Sequence, residues 1–227
     1  MENIINKYGD KLLHTTGTHG ADISSQRLDE LDISSLIYAL SLTEKNKTAI
    51  DIGCGKGIHS IRLALLGINV HLYDIMDISK QINDIKEVLS LNATSLIFNH
   101  LGIEYAKFES DILFDIVYSQ RFIHYLTYQE AMILMKKLYQ HTRIDGQIFI
   151  SASGMSSELS QNYSNYKEPI NSRFGLLSSE MAIKHEIKEP VCLYHLHELE
   201  ELLTSTGFKK VQIKLSSFGN VKAIFKK

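Results

Sequence analysis

The chain has 227 residues, of which 44% are hydrophobic and 22% are charged, and its formal net charge is −2. This length predicts one sizeable α/β domain over residues 1–227, with little chain left for a second domain. The near-neutral charge gives no sign of the basic surface that nucleic-acid binding usually needs, so we expect no nucleic-acid partner.

The cysteines and the N-terminus bear on the compartment of the protein. Cys54 and Cys192 are too few and too far apart in the sequence to indicate a disulfide framework, which favours a reducing environment. The first residues lack the basic and then apolar pattern of a signal peptide, and no apolar run reaches membrane-spanning length. We therefore predict a cytoplasmic protein that does not enter a membrane.

Residues 1–23 are predicted to form an N-terminal arm or flap. They carry few large apolar groups and include the glycine-rich stretch HTTGTHG at 14–20, so they cannot form a core by themselves. Two interpretations stay open at this point. The segment is either a loosely ordered arm or a flap over a ligand, and in the second case Tyr8, His14 and His19 are candidate contacts.

A strand, a tight turn and a helix follow the helical pattern of residues 24–42. The apolar run 48–52 meets the glycines of GCGKG at 53–57, and apolar residues then recur at helical spacing to residue 66. Glycines at such a turn allow a positive φ and let a ligand approach the main chain without meeting a Cβ atom. The start of the helix offers free N–H groups to a polar ligand.

Two aspartates indicate which ligand the turn binds. Asp74 ends a second strand-like run, 70–73, at the separation expected for the acidic residue that holds a ribose. Asp51 stands just before the first glycine, whereas a pyrophosphate site would use G-x-G-x-x-G and a helix dipole facing phosphate. An acidic residue at this place suits a ligand that carries an ammonium and a sulfonium, which favours S-adenosylmethionine over NAD.

The stretch DIGCGKG at 51–57 resembles the first motif of the class I S-adenosylmethionine-dependent methyltransferases, and we expect the small-molecule type. The resemblance covers roughly residues 24–227 and weakens within 154–190. It implies a Rossmann-like sheet of seven strands in the order 3-2-1-4-5-7-6. The alternation of strand and helix patterns likewise predicts an α/β fold with a mostly parallel sheet, helices on both faces and one antiparallel strand.

The third strand has two possible positions after a helix at 79–91. It is either 95–99 or 104–108, and the second choice leaves almost no room for the crossover that parallel strands need. We therefore favour 95–99. The fourth strand, 114–119, matches the F-D-hydrophobic-hydrophobic pattern of the family.

The remaining elements follow from local signals. Thr127 and Glu130 have the spacing of a capping box at the start of a helix. Gly207 ends a later amphipathic helix, and the turn at 218–220 has residues suited to a hairpin. The predicted elements are a helix at 127–140, a strand at 147–151, a helix at 195–206, and hairpin strands at 210–217 and 221–225.

Residues 154–190 are predicted to be a lid insertion over the substrate. They are rich in Ser, Asn and Tyr and too long for a plain connection, with one predicted helix at 178–188. Neither this segment nor the arm shows enough apolar residues to be rigid alone. We expect both to order over bound ligands and exclude water from the reaction.

The resemblance assigns the cofactor contacts by position, since ligands bind at the carboxyl ends of the strands in this architecture. The turn would line the methionine part, and the end of the second strand would hold the ribose, with Ile75 against the adenine. The end of the third strand would also contact the adenine, and the end of the fourth strand would lie beneath the methyl group. The assigned residues are Asp51, Gly53, Cys54, Gly55, Asp74, Ile75, Asn99, His100, Ser119 and Gln120.

The substrate side is assigned to Arg121, His124 and Tyr125, with His19 from the arm. Arg121 would clamp a carboxylate or phosphate, although a surface ion pair is the alternative interpretation. His124 would act as a general base, although a histidine that satisfies a helix start is the alternative. Arg121 and His124 are thus the predicted catalytic residues.

The acceptor is predicted to be a small molecule. The Asn-Pro-Pro-Tyr-like signature of amino-directed nucleic-acid methyltransferases is absent after the fourth strand, where residues 120–122 read QRF. Two alternatives stay open, a protein or nucleic-acid methyltransferase and a non-catalytic S-adenosylmethionine-binding module. No histidine or cysteine pattern has metal-ligand spacing, so we predict no metal.

Overall fold

The computed structural model describes residues 28–44, 46–92, 95–101 and 112–227. The 1–23 arm, with the predicted contact His19, lies outside the described residues. The rejected third-strand position at 104–108 also lies outside them.

Helices and strands alternate along the described chain. The helices are α1 (Glu30–Ser41), α2 (Ile58–Leu65), α3 (Ser79–Val88), α4 (Tyr128–His141), α5 (Ser179–His185) and α6 (Leu196–Ser205). The strands are β1 (Thr48–Ile52), β2 (Asn69–Asp74), β3 (Leu96–His100), β4 (Phe114–Gln120), β5 (Thr142–Ala152), β6 (Lys209–Leu215) and β7 (Val221–Lys226). Short 3₁₀ turns occupy Ile123–Tyr125, Glu158–Ser160 and Ile170–Ser172.

Within the described residues the seven strands form one sheet in the order β3-β2-β1-β4-β5-β7-β6. The pairs from β3 to β5 are parallel, whereas β7 pairs antiparallel with both β5 and β6. The predicted fold class and strand order are confirmed, and so is the preferred third strand. Asp51 of β1 lies opposite Tyr118 of β4, and Asp74 of β2 lies opposite His100 of β3. The carboxyl ends of these strands therefore meet at one edge.

Capping boxes fix the starts of α1 and α4. Thr127 N donates to Glu130 Oε2 at 2.8 Å, and Glu130 N donates back to Thr127 Oγ1 at 3.3 Å, as the sequence predicted. The equivalent pair at α1 is Asp29 and Asp32. Reciprocal bonds of this kind satisfy N–H groups that have no partner within the helix.

Strand β5 begins earlier than predicted. Residues 142–146, which precede the predicted strand 147–151, already belong to it, and Asp145 has a φ of 65°. The β4–β5 register shifts between Phe114 and Ile116. The positive φ of Asp145 is thus accommodated by a strand irregularity, and the strand continues beyond it.

Two apolar layers cover the sheet. One layer holds α4 and α6 against residues such as Ile50, Val117 and Phe225, and the other holds α1, α2 and α3 against residues such as Ala49, Leu72 and Ile116. Strand β4 is buried along nearly its whole length. This burial on both faces explains the apolar run at 116–118 in its centre.

The 154–190 segment has an apolar cluster of its own, which the sequence analysis did not expect. Its members are Met155, Leu159, Tyr163, Leu177, Met181 and Ile187, joined by Val191 and Leu193. Arg173 of this segment forms a buried two-bond pair with Glu198 of α6, at 2.6 and 2.8 Å. The expectation that the segment lacks enough apolar surface to be rigid alone is therefore wrong.

In the part of the chain that the structure describes, no helix combines the length and apolar character that crossing a membrane requires.

Candidate functional site

The turn after β1 is held in a conformation that suits glycine. Gly53, Gly55 and Gly57 have φ values of 69°, 54° and 72°. The backbone N–H groups of Gly53 and Cys54 donate to the carbonyl oxygen of Tyr73, at 2.9 and 3.2 Å. The turn is therefore fixed against the end of β2.

The space around the glycines differs from one to the next. A Cβ atom on Gly53 would lie 2.5 Å from the side chain of Phe122, whereas a Cβ atom on Gly55 would meet nothing within 4 Å. The backbone at Gly55 therefore borders open space. A ligand can approach the main chain there.

Asp74 ties the turn to the second strand. Its Oδ2 accepts from Gly55 N at 2.7 Å, and its Oδ1 accepts from Met76 N at 2.9 Å. A carboxylate only accepts hydrogen bonds, and this one stands between the glycine turn and the end of β2. The predicted role in ribose binding fits this position.

Asp51 is a buried carboxyl group beneath the turn, only 2% exposed. The hydroxyl of Ser60 donates to its Oδ2 at 2.5 Å. Burial raises the pKa of Asp51 to about 7, and the charges of Asp74 and Asp32 add to the rise, while the Ser60 bond opposes it. A bound cation would favour the ionised carboxylate, as an ammonium-bearing ligand requires.

Cys54 lies buried in the same turn. Burial, and then the charge of Asp51, raise the pKa of its thiol well above the usual value. The thiol therefore stays protonated. Its place fits the predicted lining of the cofactor site and gives it no nucleophilic role.

The predicted adenine contacts lie together at the ends of β2 and β3. His100 Nε2 lies 2.9 Å from the carbonyl oxygen of Ile75, whose side chain is 49% exposed. Asn99 Nδ2 lies 3.3 Å from the carbonyl oxygen of Ile97. The exposed Ile75 side chain gives this corner an apolar surface beside polar groups.

The end of β4 faces the turn. Ser119 is buried and donates to the carbonyl oxygen of Ile52 at 3.1 Å. Gln120 lies at the strand end, and its Oε1 is 3.1 Å from the hydroxyl oxygen of Tyr118. These contacts place both predicted residues at the edge that carries the glycine turn.

Arg121 adopts an unusual backbone conformation, with a φ of 52°. Its backbone N–H donates to the carbonyl oxygen and to Oγ of Ser151, at 3.1 and 3.0 Å. A non-glycine residue in the left-handed region costs roughly 1–2 kcal/mol, so the surrounding contacts must hold it there. Such strain is common where a side chain is aimed at a ligand.

The Arg121 guanidinium lies near two other titratable groups. Its charge opposes the rise in the pKa of Tyr125, which burial takes to about 12. It also adds to the lowering of the pKa of His185 to about 4, whose first cause is burial. Arg121, Tyr125 and His185 therefore share one region of the site.

His124 is completely buried. Its carbonyl oxygen accepts from Cys192 N at 2.7 Å, and its ring centre lies 4.2 Å from that of Tyr125. Contact between this imidazole and an acceptor requires neighbouring side chains to move. Its role as a base, and its role in substrate binding, stay predictions.

Three residues of the 154–190 segment join the substrate side and were missed by the sequence analysis. Glu158 forms an ion pair with Lys184, and its Oε2 lies 3.4 Å from Nε2 of His185. Glu158 stands 26 positions before Lys184 and 27 before His185, in a stretch without periodicity. No sequence signal connects them, because the contact depends on how the segment folds.

Among the described residues, no group of three or more His, Cys, Asp or Glu side chains could hold a metal ion. The expectation of a metal-free site stays a prediction.

A family model described as a methyltransferase domain matches residues 26–213. Among curated proteins, the chain is similar to a probable S-adenosyl-L-methionine-dependent methyltransferase, TehB, of Haemophilus influenzae. The two are 26% identical over 147 residues, which is 64% of this chain and 44% of the relative. The chain thus matches less than half the length of that relative.

Solved structures share the fold at lower identity. A 1,6-didemethyltoxoflavin-N1-methyltransferase of Burkholderia thailandensis, with bound 1,6-didemethyltoxoflavin and S-adenosylhomocysteine, has a TM-score of 0.64 and 14% identity. The match covers 91% of this chain and 81% of that one. A magnesium protoporphyrin IX methyltransferase of Synechocystis, with bound S-adenosylhomocysteine, has a TM-score of 0.59 and 15% identity, over 86% and 81% of the two chains.

A further solved structure, a SAM-dependent methyltransferase of Methanosarcina mazei, has a TM-score of 0.58 and 20% identity. The match covers 81% of this chain and 93% of that one. At these identities the likeness shows the shared fold.

Proposed function

Because this chain belongs to the family of S-adenosylmethionine-dependent methyltransferases, with that sulfonium compound as its cofactor, we propose that it methylates a small-molecule acceptor by in-line displacement. The cofactor supplies an electrophilic methyl group on a sulfonium. The protein's task is then to align an acceptor atom with that methyl group, and alignment can contribute on the order of 7–11 kcal/mol.

The residues of the site fit the cofactor. Gly55 borders the space that the ligand's methionine part would occupy, and Asp51 would face its ammonium. Asp74 would accept from the ribose hydroxyls, since its carboxylate stands beside the backbone of Gly55. Ile75 would pack against the adenine.

The position of the 154–190 segment carries the proposal of a small acceptor. The start of the segment lies next to the chain that follows its end, since Met155 N donates to the carbonyl oxygen of Tyr194 at 2.9 Å. The chain that follows the segment is bonded to the turn after β4 through Cys192 N and the carbonyl oxygen of His124. Tyr125 packs against the segment's apolar cluster.

A packed cover at this place supports a small acceptor over a macromolecular one. A protein or nucleic-acid substrate needs an open surface at the methyl group, whereas a cover with its own core would enclose that group. The small-molecule substrates named for two of the solved structures also support this choice. We also propose that residues 1–227 form a single domain, with an N-terminal arm at 1–23 and a lid at 154–190.

Arg121 and Tyr125 would bind the acceptor in this arrangement. The guanidinium would hold a carboxylate or phosphate of the acceptor with two parallel hydrogen bonds. His124 would take a proton from an acceptor hydroxyl or amine if the acceptor must lose one. His19 would reach the acceptor from the arm.

The acceptor class is tested with cofactor labelled in its methyl group. The protein is incubated with labelled cofactor and a cell extract, and small molecules are then separated from macromolecules. We expect label in the small-molecule fraction, and much less with the Gly55→Ala variant. Label confined to proteins or nucleic acids would refute the proposal, and label in neither fraction would favour a non-catalytic binding module.

The lid and the compartment have tests of their own. We expect hydrogen exchange in the arm to slow when S-adenosylhomocysteine binds, with the apolar cluster of 154–190 already protected before binding. Equal exchange in the arm with and without ligand would leave it as ordinary surface chain.

We also propose a cytoplasmic location, in keeping with two free buried cysteines, and cell fractionation tests it.

A further inference from the structure

The face of β6 and β7 that lies towards α1 carries two cross-strand pairs of lysines. The strand register places Lys214 opposite Lys222, and Lys209 opposite Lys226. Lys222 bonds to Asp29 of α1, which identifies the face, and Lys226 lies on the same face because it is four positions further along β7. Directly opposed residues of an antiparallel pair also share a face, and like charges there repel each other.

The first of these pairs is neutralised by two consecutive acids at the start of α1. Nζ of Lys214 lies 2.8 Å from Oε2 of Glu30, and Nζ of Lys222 lies 2.7 Å from Oδ2 of Asp29. The next residue of the helix, Leu31, is only 2% exposed and lines the space between α1 and β6. Two adjacent carboxylates followed by an apolar side chain therefore fit this kind of lysine pair.

The second pair has no such counterions. Lys209 and Lys226 are both exposed, and among the described residues no carboxylate pairs with either ammonium group. The neighbouring Lys210 points to the other face of the sheet, where it pairs with Glu200 of α6 at 2.6 Å. The repulsion between Lys209 and Lys226 is thus left unrelieved within the described chain, which costs stability.

A groove runs between α1 and β6 on the same face. Ser34 of α1, Gln212 of β6 and Ile224 of β7 line it, and Ile224 is 9% exposed. Ile37, one helical turn after Ser34, is 63% exposed. Apolar surface therefore adjoins the unrelieved lysines, since Ile224 stands two positions before Lys226 on the same face of β7.

We propose that this face, which we call the α1–β6 face, is a docking surface for an acidic segment of another protein. Two carboxylates of the segment would pair with the two exposed lysines, and an apolar side chain beside them would enter the groove. The start of α1 meets the first lysine pair in the same manner. The α1–β6 face comprises Ser34, Ile37, Lys209, Gln212, Ile224 and Lys226.

An acidic protein fits this face better than a nucleic acid or an anionic membrane. The apolar side chains of Ile37 and Ile224 cannot bond to phosphates, and Ile224 lies in a groove that a flat lipid surface does not reach. The net charge of −2 also opposes the approach of a large polyanion. The inference does not rest on the proposed methyl transfer, because no residue of the α1–β6 face belongs to the candidate functional site.

The test uses the full chain and a short synthetic peptide that repeats Asp-Glu-Leu, with an Asn-Gln-Leu peptide as its uncharged counterpart. Fluorescence anisotropy of the labelled peptides at physiological salt gives the dissociation constants. We expect the uncharged peptide to bind at least about tenfold more weakly. Lys209→Gln and Lys226→Gln should each weaken binding of the acidic peptide about threefold, and the double variant about tenfold.

Matched controls separate this face from the rest of the surface. Lys210→Gln removes one charge from the same strand on its other face and should keep the wild-type dissociation constant. Ile37→Ser should weaken binding about threefold, the effect of burying part of one apolar side chain. Ile133→Ser alters a similarly exposed side chain on α4 and should leave binding unchanged.

The stability of the free protein provides a second measurement. Lys209→Gln and Lys226→Gln each end the repulsion between the two lysines, so each should raise the midpoint of thermal unfolding by about 1–3 °C. The same variants should thus gain stability and lose peptide affinity. A fall in the midpoint of both variants would mean a structural role for the lysines and would overturn the inference.

Three further results would overturn it. One is equal binding of the acidic and uncharged peptides, or unchanged binding of the acidic peptide by the double variant. Another is tighter binding of phosphatidylserine vesicles or duplex DNA than of the acidic peptide, with the same dependence on Lys209 and Lys226. The third is self-association of the free chain that the double variant abolishes, which would assign the face to a second copy.

Discussion

The hydroxyl of Ser60, on α2, donates a hydrogen bond of 2.5 Å to the carboxyl group of Asp51, on β1. This bond joins the strand and the helix on either side of the glycine turn. It also stabilises the ionised form of a carboxyl group whose pKa burial raises to about 7. The proposed ammonium partner of Asp51 needs that ionised form, so cofactor affinity should follow its titration.

We predict that the affinity for S-adenosylhomocysteine rises as the pH increases from about 6 to about 8. Below a pKa of about 7, each pH unit should weaken binding by up to tenfold, because the carboxyl group must lose its proton to pair with the ammonium. Calorimetry at several pH values measures this. Asp51→Asn should bind the ligand more weakly than wild type at the higher pH values, and its affinity should depend little on pH. An equally steep dependence of affinity on pH in that variant would assign the titration to another group.

The same group sets a pH dependence of stability with the opposite sign. The folded-state pKa of Asp51 is about 7, above the value of 3.8 for a free carboxyl group, so between these pH values the folded chain holds a proton that the unfolded chain releases. The contribution of Asp51 to the free energy of unfolding therefore falls as pH rises through this window, by up to about 1.4 kcal/mol per unit. Denaturant titration should show Asp51→Asn gaining stability relative to wild type as the pH rises. A constant difference would contradict the raised pKa.

Asp74→Ala should weaken S-adenosylhomocysteine binding about tenfold or more, because a charged hydrogen bond to the ribose contributes about 1.5–3 kcal/mol. The variant also loses the bonds to Gly55 N and Met76 N, so some loss of stability is expected as well. A ligand analogue without ribose hydroxyls separates the two effects. Wild type should discriminate against the analogue and the variant should not, and equal discrimination would place the ribose elsewhere.

Gly53→Ala and Gly55→Ala form a matched pair. Both residues have a positive φ, and each substitution costs roughly 1–2 kcal/mol of backbone strain. At Gly53 the new Cβ atom also overlaps Phe122, which should add about 1–3 kcal/mol, so this variant should unfold at the lower denaturant concentration. Gly55→Ala should remain folded and lose cofactor binding, because its Cβ atom enters the ligand space. Full binding by Gly55→Ala would show that the ligand does not approach this backbone.

Arg173→Ala should destabilise the protein by about 3–5 kcal/mol, since it leaves a buried carboxylate at Glu198 without its guanidinium partner. The control is Lys210→Ala, which breaks the ion pair between Lys210 and Glu200. Because the Lys210 side chain is 51% exposed, this variant should lose well under 1 kcal/mol of unfolding free energy. Chemical denaturation measures both. Similar effects of the two variants would mean that the Arg173 pair does not anchor the 154–190 segment.

Much of the fold could be predicted because its signals are local. The run 48–52, its glycines and the following helix lie within 20 residues, and Thr127 and Glu130 are three positions apart. The position of the third strand follows from the length of chain that a parallel crossover needs, rather than from residue propensity. Such features depend on short-range geometry, which the sequence displays directly.

The parts that could not be predicted depend on contacts between distant residues. The members of the apolar cluster in 154–190 are scattered among polar residues with neither a helical nor a strand period. Tyr118 looked like an ordinary strand residue, and Asp32 like a polar position on an amphipathic helix. The hydroxyl of Tyr118 donates to Oδ1 of Asp32 only because α1 packs on β4. The burial of His124 likewise depends on the chain around Cys192.

One of the two outer strands of the sheet, β6, bears on how the protein behaves at high concentration. An unpaired strand edge offers its backbone to a strand of another molecule, which is a common start of aggregation. Here the strand carries Lys209, Lys210 and Lys214, and its register shifts between Lys210 and Gln212. Positive charges repel an identical edge, and the irregularity interrupts a flat row of hydrogen-bonding groups. Edge-to-edge stacking of copies through β6 is thereby disfavoured.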